Sequence, residues 1–158
     1  MQQPSPEVLN QFKKWCNKAE RCRSEFVTRA KRLGLSVEEY ETLLMHLVNE
    51  GSIDELRYAK AFVHDKSAIA RWPEKRIQQT LKIKGIPMEL IRQAMEEEYA
   101  LDEYAEMKRR IELKLRTCRH NDPKKRYAAV FRHLTGKGFS VEKVSQMMRN
   151  YSEWADSI

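Results

Sequence analysis

The residue types that could carry catalysis or bind a metal are few in this 158-residue chain, and their spacing supports neither role. Cys16 and Cys22 are too far apart in sequence for a zinc knuckle, and the Cys118-x-His120 pair has no second pair to complete a site. The consecutive glutamates at 96–98 would point around a helix instead of converging. The histidines are scattered along the chain, at His46, His64, His120 and His133.

Motifs of common enzyme classes are absent from the sequence as well. It contains no Gly-rich phosphate loop, no GxSxG nucleophile elbow and no HExxH metal site. We therefore predict that the protein is not an enzyme and that it needs no metal and no cofactor.

Positive charge is the feature that does suggest a function. The formal net charge is +7, and the basic residues are concentrated in residues 57–84 and 104–137, on either side of an acidic stretch at 85–103. Such a distribution is typical of proteins that bind nucleic acid or an acidic protein surface. The simpler alternative, a solvated basic face without a partner, remains open at this point.

The composition favours a helical protein of the cytoplasm. Glycine and proline are scarce, charged residues make up 34% of the chain, and no segment alternates as a half-buried strand does. The first residues lack the apolar run of a signal peptide, and no stretch is long enough to span a membrane. Three cysteines give no disulfide framework, which suits a reducing compartment.

A threefold repeat organises the chain. Gly34, Gly85 and Gly138 lie about 50 residues apart, and each is followed by an apolar residue, then Ser or Pro, then an apolar residue and Glu. Apolar residues also recur eight and four positions before each glycine. This pattern predicts an amphipathic helix that ends at the glycine, a tight turn, and a second helix capped by Ser36 or Ser140. Ser36 with Glu39 is an expected capping box, and Asp54 and Asp122 are expected N-caps of later helices.

We therefore predict an all-α fold of three tandem three-helix repeats, similar to helix-turn-helix or homeodomain units, packed in a row into an elongated protein. The expected boundaries are an N-terminal helical extension at 1–15, repeat 1 at 16–71, repeat 2 at 72–120, and repeat 3 at 121–158, with a third helix that is short or missing.

The helices after residues 54 and 101 carry the most informative basic pattern. Arg57, His64 and Arg71 share one helical face, and neither helix has well-placed Asn or Gln side chains to read bases. Positive charge without such side chains indicates contact with backbone phosphates or with an acidic groove. The candidate binding residues are Arg57, Lys60, Lys66, Arg71, Lys75, Arg76, Arg109, Arg110, Lys114 and Arg116.

The central segment also resembles a known family. Residues 53–63, Ile-Asp-Glu-Leu-Arg-Tyr-Ala-Lys-Ala-Phe-Val, are similar to the signature of the RecX family, and Lys66, Trp72, Lys75, Ile77 and the LKIKGI run at 81–86 continue the similarity. The last repeat resembles it at 133–134 and 137–140. The likeness extends over roughly residues 16–150, although His64 stands where the family often has Arg, and 96–119 match loosely.

The resemblance implies tandem three-helix repeats, binding along the groove of the RecA–single-stranded DNA filament, and lowering of RecA's ATPase and strand-exchange activities in DNA repair, recombination and the SOS response. It implies no cofactor and no membrane partner. From their charge we expect Arg57, Lys60 and Lys66 to contact the partner, with single-stranded and double-stranded DNA bound without sequence preference. The alternatives are a stand-alone DNA-binding regulator of the helix-turn-helix type and a structural adaptor, and a RecA-dependent effect would distinguish them from the first reading.

Overall fold

The computed structural model describes residues 3–149, and this part of the chain contains α-helices and no strand. The predicted all-α class is therefore confirmed. The predicted short or missing third helix of repeat 3 falls on residues outside the described range. The helices are α1 (Pro6–Lys18), α2 (Arg23–Arg32), α3 (Val37–Asn49), α4 (Glu55–His64), α5 (Glu74–Ile83), α6 (Met88–Glu98), α7 (Glu103–Thr117), α8 (Pro123–Gly136) and α9 (Val141–Arg149), with a π-helical turn at Asp65–Ile69.

Side-chain caps begin several of these helices where the sequence predicts them. Ser36 and Glu39 form a reciprocal capping box, in which the Glu39 amide donates to the Ser36 hydroxyl at 3.2 Å and the Ser36 amide donates to the Glu39 carboxylate at 2.8 Å. The Asp54 carboxylate accepts the Arg57 amide at 3.0 Å, and Asp122 caps α8 directly before Pro123. These bonds satisfy amides that have no partner within the helix.

The same turn joins the two helices around each repeat glycine. Gly34, Gly85 and Gly138 have φ values of +80°, +79° and +104°, in the left-handed region that favours glycine. The amide of the following residue donates back to the helix, from Leu35 to Ala30, from Ile86 to Leu81 and from Phe139 to Leu134, at 3.1–3.3 Å. This is the bond pattern of a Schellman cap, and its threefold recurrence confirms the predicted repeat.

The chain forms two compact units. The first contains the described residues up to Val63 together with Thr80–Glu98, and the second contains His64–Gln79 together with the described residues from Tyr99 onward. In the first unit, α1, α2 and α3 share one core. Phe12 lies against Phe26, with ring centroids 4.8 Å apart, and Ala30, Leu43, Leu47 and Ile53 complete the buried cluster.

In the second unit, α7, α8 and α9 share another core. Its buried side chains come from all three helices and from the turn between α8 and α9: Met107, Ile111, Leu115, Val130, Leu134, Phe139, Val144, Met147 and Met148. The helical members of this cluster lie on the inner stripes of α7, α8 and α9, and Phe139 of the turn packs among them. Burial of this apolar surface is what holds the three helices together.

Each of these two cores contains three consecutive helices. The helix assigned to an N-terminal extension at 1–15 contributes Phe12 to the core of α2 and α3, and α7 packs with α8 and α9, which follow it. The glycine pattern locates only the two helices that flank each turn. Whether the preceding or the following helix completes each core depends on tertiary packing.

The glycine turns lead to a graded stability prediction. Gly85→Ala should lower the free energy of unfolding by about 1–2 kcal/mol, because an L-residue is strained at that φ although the surrounding space is open. Gly138→Ala should cost more, since its new Cβ would also lie 2.7 Å from Cβ of Arg76. As the control, Gly136→Ala within α8 should stabilise by about 0.5–1 kcal/mol. Urea unfolding followed by circular dichroism tests this order of stability. A Gly138→Ala variant at least as stable as the Gly85→Ala variant would contradict it.

Candidate binding surface

The ten predicted binding residues fall into both units. Arg57 and Lys60 lie on α4 in the first unit, whereas the other eight belong to the second. Their environments differ, and these differences separate cations that hold the fold together from cations that remain available to a partner.

Arg57 is half-exposed but already has two partners in the chain. Its Nε donates to the Glu20 carboxylate at 2.7 Å, and its Nη2 donates to the carbonyl of Gly51 at 2.8 Å. The hydrogen bond with Glu20 raises the pKa of the guanidinium above its ordinary value. Arg57 therefore ties α4 to the turn that follows α3, in addition to any role toward a partner.

Lys60 forms an ion pair on the surface of the same unit. Its Nζ lies 2.5 Å from the carboxylate of Glu97 on α6, and this contact raises the pKa of Lys60 and lowers the pKa of Glu97. Both side chains are accessible to solvent, so the pair contributes little to stability. The sequence did not reveal this acidic neighbour of Lys60.

In the second unit, Lys66 and Arg76 lie against the ring of Trp72. Arg76 Cζ is 3.7 Å from the ring centroid and Lys66 Nζ is 4.6 Å from it, and both contacts are of the cation–π kind. The Trp72 amide also donates to the Lys66 carbonyl at 2.7 Å. The indole thus gives two candidate cations defined positions.

An irregular segment leads from α4 to this tryptophan. A π-helical turn spans Asp65–Ile69, and Arg71 has a φ of +56°, which is uncommon outside glycine. Ser67 is buried there and its hydroxyl accepts the amide of Ala100 at 3.2 Å. Left-handed geometry at a bulky residue costs energy, and here it accompanies a contact between the Arg71 guanidinium and a buried carboxylate.

That carboxylate belongs to Glu106, which is only 4% exposed. Arg109 binds it through two hydrogen bonds, at 2.7 and 3.1 Å, Arg110 Nε lies 2.9 Å from it, and Arg71 Nη1 lies 3.5 Å from it. Burial alone would raise the pKa of Glu106, but the hydrogen bonds from Arg109 and the positive charges of Arg109, Arg110 and Arg71 outweigh it and hold the pKa below its usual value.

Three of the ten predicted binding residues therefore converge on an acid of the chain itself. Sequence reasoning missed Glu106, although its spacing from Arg109 and Arg110 is that of ion pairs within a helix. The third partner, Arg71, could not be found this way, because it is distant in sequence.

Lys75, Lys114 and Arg116 have no ion pair within residues 3–149. Lys75 and Arg116 are exposed, and Lys114 is half-buried near His133. Burial lowers the pKa of His133, and the charges of Lys114, Lys137 and Arg110 lower it further. Positive charge is therefore concentrated around His133.

Charge also differs between the helices on either side of the glycine turns. The helices before the turns, α2, α5 and α8, are rich in Lys and Arg, whereas α3 and α6 after them carry three and four glutamates. In a helix-turn-helix protein, the helix after the turn enters the DNA groove. Phosphates would repel α3 and α6, so these helices are poor recognition helices. Sequence reasoning overlooked the cations at the end of α2, which are Arg29, Lys31 and Arg32.

Within residues 3–149, no group of three or more His, Cys, Asp or Glu side chains is arranged to hold a metal ion. Cys16, Cys22 and Cys118 are free thiols. No helix in the described part of the chain is long and apolar enough to cross a membrane.

Comparison with known proteins gives one consistent result. The family model described as "RecX, second three-helix domain" matches residues 54–95, which correspond to α4, α5 and most of α6. A protein named "Regulatory protein RecX" from Finegoldia magna is 27% identical in an alignment of 138 residues that covers 83% of this chain and 65% of that relative. This chain thus spans slightly less than two thirds of the length of that curated relative.

Two solved structures have the same fold. The "Crystal structure of regulatory protein RecX" superposes with a TM-score of 0.78 at 24% identity, covering 91% of this chain and 70% of that one. The crystal structure of RecX from Lactobacillus salivarius superposes with a TM-score of 0.69 at 17% identity, covering 96% of both chains.

The environment of Glu106 predicts a pH-dependent contribution to stability. Because its pKa is depressed in the folded state, the contribution is present above the unfolded pKa and is lost as the pH falls through the folded pKa. Glu106→Gln should therefore lower the free energy of unfolding at pH 7 by about 2–3 kcal/mol, since three arginines lose their shared counter-charge.

The control is Glu112→Gln on the same helix, where no ion pair occurs within the described residues and little change is expected. Urea unfolding at pH 7 and at pH 3 measures both variants. If the wild-type protein and the Glu106 variant differ as much at pH 3 as at pH 7, the ionised carboxylate is not what stabilises the cluster.

Proposed function

Since this chain belongs to the RecX family, we propose that it regulates RecA by binding the RecA–single-stranded DNA filament and lowering RecA's ATPase and strand-exchange activities. In this proposal the protein acts in the cytoplasm during DNA repair, recombination and the SOS response. It acts by binding and not by catalysis, and it uses no cofactor and no membrane partner.

The observation that carries the proposal is the family match over residues 54–95. Six of the ten basic residues selected from the sequence lie in this stretch: Arg57, Lys60, Lys66, Arg71, Lys75 and Arg76. A filament of protein and DNA presents many negative charges, and a basic surface without base-reading side chains suits such a partner.

The contacts within each unit suggest different roles for the candidate cations. We assign partner contact first to Lys75, Lys114 and Arg116, which have no ion pair in residues 3–149, and then to Lys66 and Arg76, which Trp72 holds in place. Arg71, Arg109 and Arg110 serve mainly as positioning residues around Glu106. Arg57 and Lys60 each form an ion pair with a glutamate of the first unit, and both side chains are still accessible to solvent.

Regulation follows from unequal binding. A protein that binds one state of the filament more tightly than another shifts the population toward that state by the difference in binding free energy. Here we propose that the favoured state has lower ATPase activity.

The main alternative, a stand-alone DNA-binding regulator of the helix-turn-helix type, receives less support. Such a regulator would read bases with α3, α6 or α9, but α3 and α6 are acidic and would be repelled by the phosphates.

We also propose revised domain boundaries, with three-helix units formed by α1–α3, α4–α6 and α7–α9. The cores of the first and last groups and the bounds of the family match support this frame. It replaces the boundaries at residues 16, 72 and 121 that the glycine pattern suggested.

A charge swap tests whether Lys60 contacts the partner. Lys60→Glu combined with Glu97→Lys keeps an ion pair and the net charge, so the melting temperature should remain near that of the wild type. The charge at position 60, which faces the filament in this proposal, would nevertheless change from positive to negative. The concentration needed for half-maximal inhibition of RecA's DNA-dependent ATPase should therefore rise about tenfold.

The control is the equivalent swap of an exposed pair on α6, Arg92→Glu with Glu96→Arg, which should inhibit like the wild type. If the Lys60/Glu97 swap inhibits as well as the wild type, Lys60 has only an internal role. If the wild-type protein does not inhibit RecA at all, the proposed function itself is wrong.

Binding to DNA alone should be weak and independent of sequence. Because phosphate contacts release counterions, the logarithm of the affinity should fall linearly with the logarithm of the salt concentration. Fluorescence anisotropy with single-stranded and duplex oligonucleotides of several sequences measures both properties. A strong preference for one duplex sequence would instead support the regulator alternative.

A further inference from the structure

The first unit contains an open groove that the basic residues chosen from the sequence do not include. It has a volume of about 510 Å³ and lies along α2, between Trp15 of α1 and Ile83 and Lys84 at the end of α5. Its other lining residues are Arg21, Ser24, Glu25, Thr28, Arg29 and Arg32. We call it the α2 groove.

Two arginines of the groove are held by one aromatic ring. Arg21 Cζ lies 4.5 Å from the Trp15 ring centroid and Arg29 Cζ lies 5.0 Å from it. Arg21 Nε also donates to the Trp15 carbonyl at 3.3 Å. Because these guanidiniums already have defined positions, binding an anion would cost them less conformational entropy than free surface arginines would pay.

The positive charge of the groove is not neutralised within the described residues. Arg21, Arg29 and Arg32 have no ion pair in residues 3–149, whereas Lys84 binds the one carboxylate of the groove, Glu25, at 3.1 Å. Glu25 also accepts the hydroxyl hydrogen of Tyr58 at 2.8 Å. Since Glu25 is occupied by these two donors, three guanidiniums remain to attract an anion.

The remaining lining residues indicate what kind of anion fits. Ser24 and Thr28 lie one helical turn apart on α2, but the Thr28 hydroxyl donates to the Ser24 carbonyl at 3.0 Å and the Ser24 hydroxyl lies 3.2 Å from the Cys22 sulfur. The arginines are therefore the main donors to an anion. Ile83, which is 87% exposed, gives an apolar contact beside these donors. A duplex keeps its bases stacked inside, but a single strand can turn a base or sugar onto such a side chain.

We propose that the α2 groove binds the phosphodiester backbone of a single nucleic-acid strand, without sequence preference. Arg21, Arg29 and Arg32 pair with phosphates, and Ile83 contacts an unpaired base or sugar. An acidic protein segment shares the negative charge, and the experiment distinguishes it from a nucleic-acid strand. The inference rests on the DNA-binding part of the proposed function and is independent of any effect on RecA.

The test compares two variants of the full chain that lose the same charge. Arg29→Ala with Arg32→Ala removes two cations of the groove, and Lys14→Ala with Lys18→Ala removes two exposed cations of α1 in the same unit. The probe is a fluorescein-labelled oligothymidine, titrated by anisotropy without RecA over a range of salt concentrations. Melting temperatures check that both variants are folded.

The groove variant should bind the oligothymidine about tenfold more weakly than the wild type. The slope of the logarithm of its affinity against the logarithm of the salt concentration should become less steep by about 1.4, the value for two single-strand phosphate contacts. The α1 variant should lose much less affinity. A third variant, Arg29→Lys with Arg32→Lys, keeps the charge but loses the planar guanidinium groups. Its affinity for the oligothymidine should lie between those of the wild type and the groove variant.

Equal losses in the groove and α1 variants would overturn the proposal, because net charge alone would then explain binding. Unchanged oligothymidine binding by the groove variant would overturn it too. If that variant also failed to inhibit RecA's ATPase, the groove would serve an acidic protein segment instead. By contrast, loss of oligothymidine binding in the groove variant would support the inference even if the wild-type protein had no effect on RecA.

Discussion

A left-handed glycine between two helices is the constraint on which the rest of this fold depends. At Gly34, Gly85 and Gly138 the chain ends one helix and reverses direction within a few residues, while the following amide satisfies a carbonyl of the finished helix. This reversal brings the apolar stripes of consecutive helices together, as with Phe26 and Leu43 in the first unit. Any other residue type would be strained at these positions, so the turn fixes both the repeat and its packing.

In the second unit, a buried carboxylate decides what several basic residues can do. Glu106 is inaccessible to water and requires counter-charge, which Arg71, Arg109 and Arg110 supply. The left-handed backbone of Arg71 and the π-helical turn before it belong to the segment that brings its guanidinium to this carboxylate. A residue that looks like a binding cation in the sequence can thus be occupied by the fold itself.

Basic and acidic residues are divided between different helices of this protein. The helices before the glycine turns are basic and two of those after them are acidic, which reverses the arrangement expected of a DNA-reading helix-turn-helix protein. Aromatic rings stabilise part of the basic surface, since Trp15 holds Arg21 and Arg29, and Trp72 holds Lys66 and Arg76.

The sequence by itself determined the helical class, the glycine turns, the caps at Ser36, Asp54 and Asp122, and the family resemblance, because these depend on neighbours within one or two helical turns. Tertiary structure alone decided which helices share a core. It also decided that Arg57 and Lys60 have acidic partners, that Arg71 reaches Glu106, and that Trp15 meets Arg29. These contacts join residues far apart in the chain, and one sequence shows which side chains are charged but not which charges the folded chain brings together.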